Sequence, residues 1–135
     1  MKGEWRRLTA ALLVAAGLLA LGVALAPPQA QDAASDGLQQ VAVADLPSEA
    51  RATIRLIKQG GPFAYERDGT VFRNFEKRLP LRERGYYREY TVRTPGEKSR
   101  GARRIVAGRG GELYYTHDHY WSFRRVREKP ANGER

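Results

Sequence analysis

The sequence contains no cysteine, so neither a disulfide bond nor a thiolate-bound metal can stabilise the fold. Only two histidines are present, His117 and His119. Two histidines without cysteine or a dense acidic cluster are a weak metal signal, so neither a metal nor a cofactor is expected. Internal repeats and heptads are also absent, and nothing indicates a second domain. Stability must therefore come from one hydrophobic core.

Acidic residues are too few to balance the basic ones. The 24 Lys and Arg outnumber the 15 Asp and Glu, and the net charge is +9. Residues 1–30 hold three of the basic and one of the acidic residues, so residues 31–135 keep a charge of +7. Such an excess favours polyanionic partners, namely nucleic acid, anionic membrane or cell-wall polymer. A generic basic surface has the same composition, so charge alone does not choose among them.

Long apolar runs are equally scarce, and the single one lies near the N-terminus. Residues 8–26 carry no charge, follow a basic start, and end at Pro27-Pro28. This pattern predicts a secretory signal peptide over residues 1–30. Because the run approaches the ~20 apolar residues that span a bilayer, an uncleaved membrane anchor is the alternative. We therefore expect a secreted, extracellular protein, or an anchored one with its domain outside the cytoplasm.

One helix is predicted at the start of the folded unit, which we place at residues 45–127. Residues 31–44 lack periodicity and are interpreted as a flexible spacer, and residues 128–135 as a polar tail. Pro47 suits the first helical turn and Gly60-Gly61 suits a helix end, so the helix is predicted over residues 47–58. Its apolar face is formed by Ala50, Ile54 and Ile57.

Short β-patterned segments separated by turn signals follow the helix. They cover residues 70–74, 86–92, 103–107, 113–116 and 120–126. One helix followed by strands with tight connections predicts an α+β fold. We expect the N-terminal helix to pack on one face of an antiparallel sheet of about five strands.

Groups that lie on or next to three of these segments suit phosphoryl transfer without a metal. Glu89 lies mid-strand, where carboxylates are depleted, and His119 lies at a strand entrance. Arg100, Arg103 and Arg104 form a cluster whose repulsion a phosphate would neutralise. Each group also has an ordinary explanation: a solvent-facing carboxylate, an exposed loop histidine, and a solvated turn with ion pairs worth under ~1 kcal/mol.

The order and spacing of the segments resemble the guanyl-specific microbial ribonucleases, the barnase-like family, and most closely its streptomycete type. The resemblance covers residues 46–126. It is carried by Gly61-Pro62-Phe63, Asp68-Gly69-x-Val71-Phe72-x-Asn74-x-Glu76, Gly85-Tyr86-Tyr87-x-Glu89-Tyr90-Thr91-Val92, Thr94-Pro95-Gly96, Arg100-Gly101-x-Arg103-Arg104-Ile105 and Tyr114-Tyr115-Thr116-x-Asp118-His119-Tyr120. It implies the microbial ribonuclease fold.

The resemblance also implies roles for individual residues. Glu89 would be the general base that takes the ribose 2′-OH proton, and His119 the general acid that protonates the departing 5′-oxygen. The phosphate would be bound by Arg100 and Arg104, with Arg103 beside them. Guanine would be read by Glu76, supported by backbone contacts around Asn74 and by the rings of Phe72 and Tyr120.

The implied function is a secreted endoribonuclease that cleaves single-stranded RNA 3′ of guanosine through a 2′,3′-cyclic phosphate. It would need neither metal nor cofactor, act as a monomer, and be matched by an acidic intracellular protein inhibitor of the barstar type. The alternative is a non-catalytic basic module that binds nucleic acid or another polyanion. Arg73 and Phe75 beside the base reader, the extra His117 and the bulky Trp121 depart from the family pattern. The absence of the disulfide common in the closest relatives implies lower stability with the same fold.

Overall fold

The computed structural model describes residues 37–129. The predicted signal peptide or anchor and most of the polar tail lie outside these residues. Within residues 37–129, no helix is both long enough and apolar enough to cross a membrane.

Helix α1 (Ser48–Gln59) lies within one residue of its predicted bounds. Pro47 precedes it, and Gly60 ends it in a left-handed conformation with φ of 80°. A glycine adopts this conformation without a Cβ clash. The Thr53 hydroxyl donates a hydrogen bond to the Thr91 carbonyl at 3.1 Å, which ties the helix to the sheet.

Six strands form one sheet in the order β1-β6-β5-β4-β3-β2. Their bounds are β1 (Gln39–Ala42), β2 (Thr70–Phe72), β3 (Tyr87–Thr91), β4 (Arg104–Gly108), β5 (Leu113–Thr116) and β6 (Arg124–Arg127). All neighbouring pairs are antiparallel except β1 and β6, which are parallel. The predicted α+β architecture, with one helix on a mostly antiparallel sheet, is confirmed.

Two local predictions are wrong. The predicted spacer over residues 31–44 includes β1 and a 3₁₀ turn (Val43–Asp45), because β1 pairs with β6 as an edge strand of the sheet and Val41 is buried in the core. The strand predicted over residues 120–126 begins only at Arg124. Residues 120–123 belong instead to a turn stabilised by side-chain hydrogen bonds.

The two faces of the sheet carry separate hydrophobic clusters. On one face α1 packs over Ile105, Leu113 and Tyr115. The buried residues of the opposite face include Tyr87, Val106 and Tyr114. Within the described part of the chain, no helix covers this face. Because side chains alternate along a strand, the residues that share this second face are set by register.

Candidate active site

Strands β3 and β4 bring a carboxylate and a guanidinium to the helix-free face. In the register, Thr91 pairs with Arg104 and Glu89 pairs with Val106, so Glu89, Thr91 and Arg104 share that face. Glu89 is only 8% exposed and Arg104 only 2%. Charges removed from water to this extent need close polar partners.

Glu89 receives one hydrogen bond on each carboxylate oxygen. Arg100 Nη2 donates to Oε1 at 3.3 Å, and the Tyr120 hydroxyl donates to Oε2 at 2.6 Å. Burial, together with the hydrogen bond to Glu89, raises the pKa of Tyr120 far above its ordinary value. The phenol therefore stays protonated at neutral pH and remains a donor, so the carboxylate is fixed in one orientation.

The two arginines are held by different contacts. Arg100 donates from Nε and Nη2 to the Thr91 hydroxyl, at 3.1 and 2.9 Å. Arg104 donates from Nη1 to the carbonyl oxygens of Gly101 and Arg103, at 2.9 and 2.8 Å. The buried Nε of Arg104 has no hydrogen-bond partner among residues 37–129. The site thus combines fixed positive charge with an unused donor, an arrangement that suits an anion.

His119 and Tyr120 lie on a turn that is organised by Asp118. The Asp118 carboxylate accepts hydrogen bonds from the Thr116 hydroxyl at 2.9 Å, and from the Ser122 N–H and hydroxyl at 2.9 and 2.6 Å. Burial pushes the pKa of Asp118 upward, but these hydrogen bonds outweigh it and lower the pKa to about 2. The carboxylate is therefore ionised throughout the neutral range.

The same turn holds its two functional residues in unusual backbone conformations. His119 has φ of 55° and Tyr120 has φ of 71°, both in the left-handed region. Non-glycine residues remain there only when the surroundings enforce it. Here the Tyr120 N–H donates to the Thr116 hydroxyl at 3.0 Å, and the His119 N–H donates to the Ala102 carbonyl at 2.9 Å. His119 is thereby tied to the segment that carries the arginines.

A second loop presents Glu76. Asn74 stabilises this loop, because its side chain donates a hydrogen bond to the Leu79 carbonyl at 2.9 Å and accepts one from the Leu79 N–H at 3.1 Å. Asn74 has φ of 53°, a conformation that asparagine tolerates better than most residues. Its side chain therefore stabilises the loop. Glu76 is largely exposed and pairs with Arg78 Nη1 at 2.6 Å.

A continuous cleft joins the two carboxylates. It has a volume of about 560 Å³, and its walls include Phe72, Asn74, Glu76, Glu89 and Tyr120. The rings of Phe72 and Tyr120 stack with centroids 5.1 Å apart. An adjoining cleft of about 400 Å³ is lined by Glu76, Arg78, His119, Tyr120 and Trp121. A flat polar ring can therefore lie near Glu76 while an attached phosphate reaches Glu89.

The structure gathers all the predicted site residues in this region except Arg103. Burial raises the pKa of Tyr115, and the nearby guanidiniums of Arg103 and Arg124 oppose that rise. Tyr115 belongs to the core beneath α1, so the Arg103 side chain lies towards that face of the sheet. Only its backbone carbonyl, which holds Arg104, takes part in the site.

Several contributing residues were not predicted from the sequence. Thr91 could have been found, because it lies two residues after Glu89 and so shares its face. Asp118 was recognised only as part of a motif, and Arg78 carries no sequence signal of its role. Within residues 37–129, no three His, Cys, Asp or Glu side chains come together as a potential metal site.

Comparisons with known proteins bear directly on this geometry. Residues 29–127 match the sequence profile of a family described as ribonuclease. The chain is 58% identical over 90 residues to guanyl-specific ribonuclease St of Saccharopolyspora erythraea, covering 67% of this chain and 89% of that protein. It is 52% identical over 84 residues to guanyl-specific ribonuclease Sa of Kitasatospora aureofaciens, covering 62% of this chain and 88% of that protein.

Solved structures give the same result. The crystal structure of ribonuclease Sa2 with guanosine-2′-cyclophosphate matches with a TM-score of 0.66 and 47% identity. The match covers 69% of this chain and 99% of that chain. A crystal structure of ribonuclease Sa2 with 3′-GMP matches with a TM-score of 0.65 and 46% identity, over 69% of this chain and all of the other.

Proposed function

The chain belongs to the ribonuclease family, among its guanyl-specific microbial members, and we propose that it is a secreted enzyme that cleaves single-stranded RNA 3′ of guanosine. The geometry that supports this most strongly is the buried Glu89, fixed by Arg100 and Tyr120 in a cleft shared with Glu76. A base reader and a proton acceptor in the walls of one cleft suit a guanosine with its 3′-phosphate.

The proposed reaction begins on the substrate. Glu89 accepts the proton of the ribose 2′-OH, and the 2′-oxygen forms a bond to the adjacent phosphorus. The bond from phosphorus to the 5′-oxygen breaks, and His119 gives a proton to that leaving oxygen. The products are a 2′,3′-cyclic phosphate and a free 5′-hydroxyl. Hydrolysis of the ring reverses the roles, with His119 activating water and Glu89 acting as the acid.

The arginines are proposed to stabilise the charge that develops on the non-bridging phosphate oxygens. Arg104 places a buried positive charge behind Tyr120, 5.9 Å from the ring centroid, and Arg100 donates hydrogen bonds to Glu89 and Thr91. Donors already held in place need no reorganisation during the reaction, which is why such groups contribute strongly to catalysis. Proton transfers by positioned groups contribute a further ~10²–10⁴-fold.

Guanine selection is proposed to rest on Glu76. Its carboxylate can accept hydrogen bonds from guanine N1–H and from the exocyclic amine, which adenine cannot match. The ion pair with Arg78 Nη1 at 2.6 Å holds the carboxylate of Glu76 at the cleft. DNA lacks the 2′-OH that attacks phosphorus, so it would bind without being cut.

Secretion and inhibition remain proposals from the sequence. Secretion is supported by the basic start and the uncharged run of residues 8–26. An acidic intracellular inhibitor is supported by the +7 charge of residues 31–135, which favours an acidic partner over the cleft. Mixing the enzyme with a candidate acidic protein tests the second proposal, and undiminished activity would eliminate that candidate.

The function is tested with residues 31–135, which contain the whole described sheet. A solved relative is matched over all of its own length by 69% of this chain, so a unit of this size folds without the rest. The protein is incubated in EDTA with an RNA that carries one G and with the same sequence as DNA. We expect cleavage after G in RNA only, with a cyclic phosphate end, and its loss in Glu89→Gln and His119→Ala. Glu83→Gln, which removes an exposed carboxylate paired with Arg109, should retain activity. Salt-sensitive binding of both strands without cleavage would leave only a basic binding module.

A further inference from the structure

Trp121 is a large aromatic side chain that the proposed reaction does not use. Its side chain contributes little to the core, since the residue is 73% exposed. The guanidinium of Arg78 lies over the indole ring, 5.1 Å from its centroid. One face of the indole is therefore covered by a cation, while most of the residue remains accessible to solvent.

The position of Trp121 relative to His119 places the exposed indole where the base of the leaving nucleoside would lie. Both residues line the cleft of about 400 Å³ that adjoins the guanosine cleft. A general acid must lie beside the oxygen it protonates, here the 5′-oxygen of the leaving nucleoside. The base of that nucleoside must then lie within a few ångströms of His119, on the side away from Glu89. Trp121 is the exposed aromatic side chain that lines this cleft.

We propose that Trp121 and Arg78 form a subsite for the nucleobase that follows the cleaved bond. This inference rests on the ribonuclease function proposed above. The base stacks on the open face of the indole, and Arg78 supports the other face. Stacking on an aromatic side chain accepts any base but favours the larger purines. The enzyme is therefore expected to prefer GpA and GpG over GpC and GpU.

Arg78 connects this subsite to guanine recognition. Its Nη1 lies 2.6 Å from Glu76 Oε2 while its guanidinium covers the indole of Trp121. Arg78 and Trp121 also line a neighbouring hollow of about 790 Å³ together with His117 and Arg124. An RNA strand that crosses the indole would thus continue over a basic surface, which suits its next phosphate.

The kinetic test compares kcat/KM for GpA, GpG, GpC and GpU in residues 31–135 and in Trp121→Ala, Trp121→Phe and Leu81→Ala. Leu81 is a matched control, since it is also a large exposed apolar residue but lies away from the His119 cleft. Trp121→Ala should lower kcat/KM for GpA about tenfold and flatten the purine preference. Trp121→Phe should retain part of the kcat/KM for GpA and part of the purine preference. Leu81→Ala should have the same kcat/KM values as the unchanged protein.

Hydrolysis of guanosine 2′,3′-cyclic phosphate separates the subsite from the catalytic groups, because this substrate has no leaving nucleoside. Trp121→Ala should hydrolyse it within about twofold of the unchanged protein. An equal loss on GpA and on the cyclic phosphate would overturn the inference, as would no loss on GpA. If the unchanged protein cut neither substrate, the proposed function itself would fail.

Tryptophan fluorescence gives a second readout, because Trp121 is the only tryptophan in residues 31–135. The uncleavable deoxydinucleotide d(GpA) should quench its emission, whereas 3′-GMP, which lacks the following base, should not. Saturation with d(GpA) without quenching would contradict stacking. Equal quenching by 3′-GMP would place the indole against guanine instead.

Discussion

Replacing Asp118 with asparagine removes one negative charge from the turn that carries His119 and Tyr120. The carboxylate accepts three hydrogen bonds within that turn, from Thr116 and Ser122. An asparagine of similar shape offers only one acceptor oxygen. The substitution should therefore destabilise the folded protein and loosen the backbone that presents the histidine.

The size of the effect follows from the ionisation of Asp118. Its pKa falls from the ordinary 3.8 to about 2. At about 1.4 kcal/mol per unit this corresponds to roughly 2.5 kcal/mol, and because the side chain is 32% exposed we discount it to about 1–2 kcal/mol. A lowered pKa stabilises the fold above the pKa of the unfolded chain, and this stabilisation is lost as the pH falls towards 2. The difference between the two proteins should thus be constant above pH 5 and shrink between pH 4 and 2.

Urea unfolding of residues 31–135 between pH 2 and pH 7 measures this difference. Glu83→Gln changes the net charge equally but affects only an exposed ion pair with Arg109, so its free energy of unfolding should move by less than ~0.5 kcal/mol. If Asp118→Asn were no more destabilising than Glu83→Gln at pH 7, the hydrogen bonds of Asp118 would not stabilise the turn. An equal loss of stability at pH 2 and pH 7 would show that the effect does not depend on the charge of Asp118.

Two further substitutions test the remaining supports of the site. Asn74→Ala removes both hydrogen bonds to Leu79 and puts alanine at positive φ, so it should lower stability by about 1–3 kcal/mol and weaken 3′-GMP binding more than phosphate binding. Calorimetry with both ligands checks this, and equal weakening of the two would contradict it. Tyr120→Phe keeps the ring on Phe72 but removes the hydroxyl bound to Glu89, so kcat should fall about tenfold in steady-state assays while 3′-GMP affinity is retained. An unchanged kcat would contradict a role for that hydrogen bond.

The elements predicted correctly from the sequence are those encoded locally. Helix α1 has its own start, stop and apolar face within about fourteen residues. Strands β3, β4 and β5 are rich in β-branched and aromatic residues, and residues with turn signals separate them. Strand β1 has no such signal, because its structure depends on pairing with β6, more than eighty residues away. Sequence periodicity does not contain that information.

The candidate site also combines features encoded by neighbouring residues with features that depend on distant parts of the chain. Glu89 and Arg104 share a face because of strand register, and a one-residue shift separates Arg103 from them. The turn that includes Tyr120 replaces the first four residues of a predicted strand, because three hydrogen bonds to Asp118 hold it. The contacts of Arg78 with Glu76 and Trp121 join two separate loops. Such contacts become visible only once the chain is folded.

The parallel pairing of β1 with β6 affects how this protein is made. The first strand to leave the ribosome can find its partner only after the last strand has been synthesised, so the addition of β1 to the sheet is a late event. Until β6 has been synthesised, the side of β5 that pairs with β6 also lacks a partner strand. A nascent chain that ends before Arg124 therefore exposes the backbone donors and acceptors of β5 that pair with β6 in the complete fold. A truncated message would leave the cell with an aggregation-prone fragment.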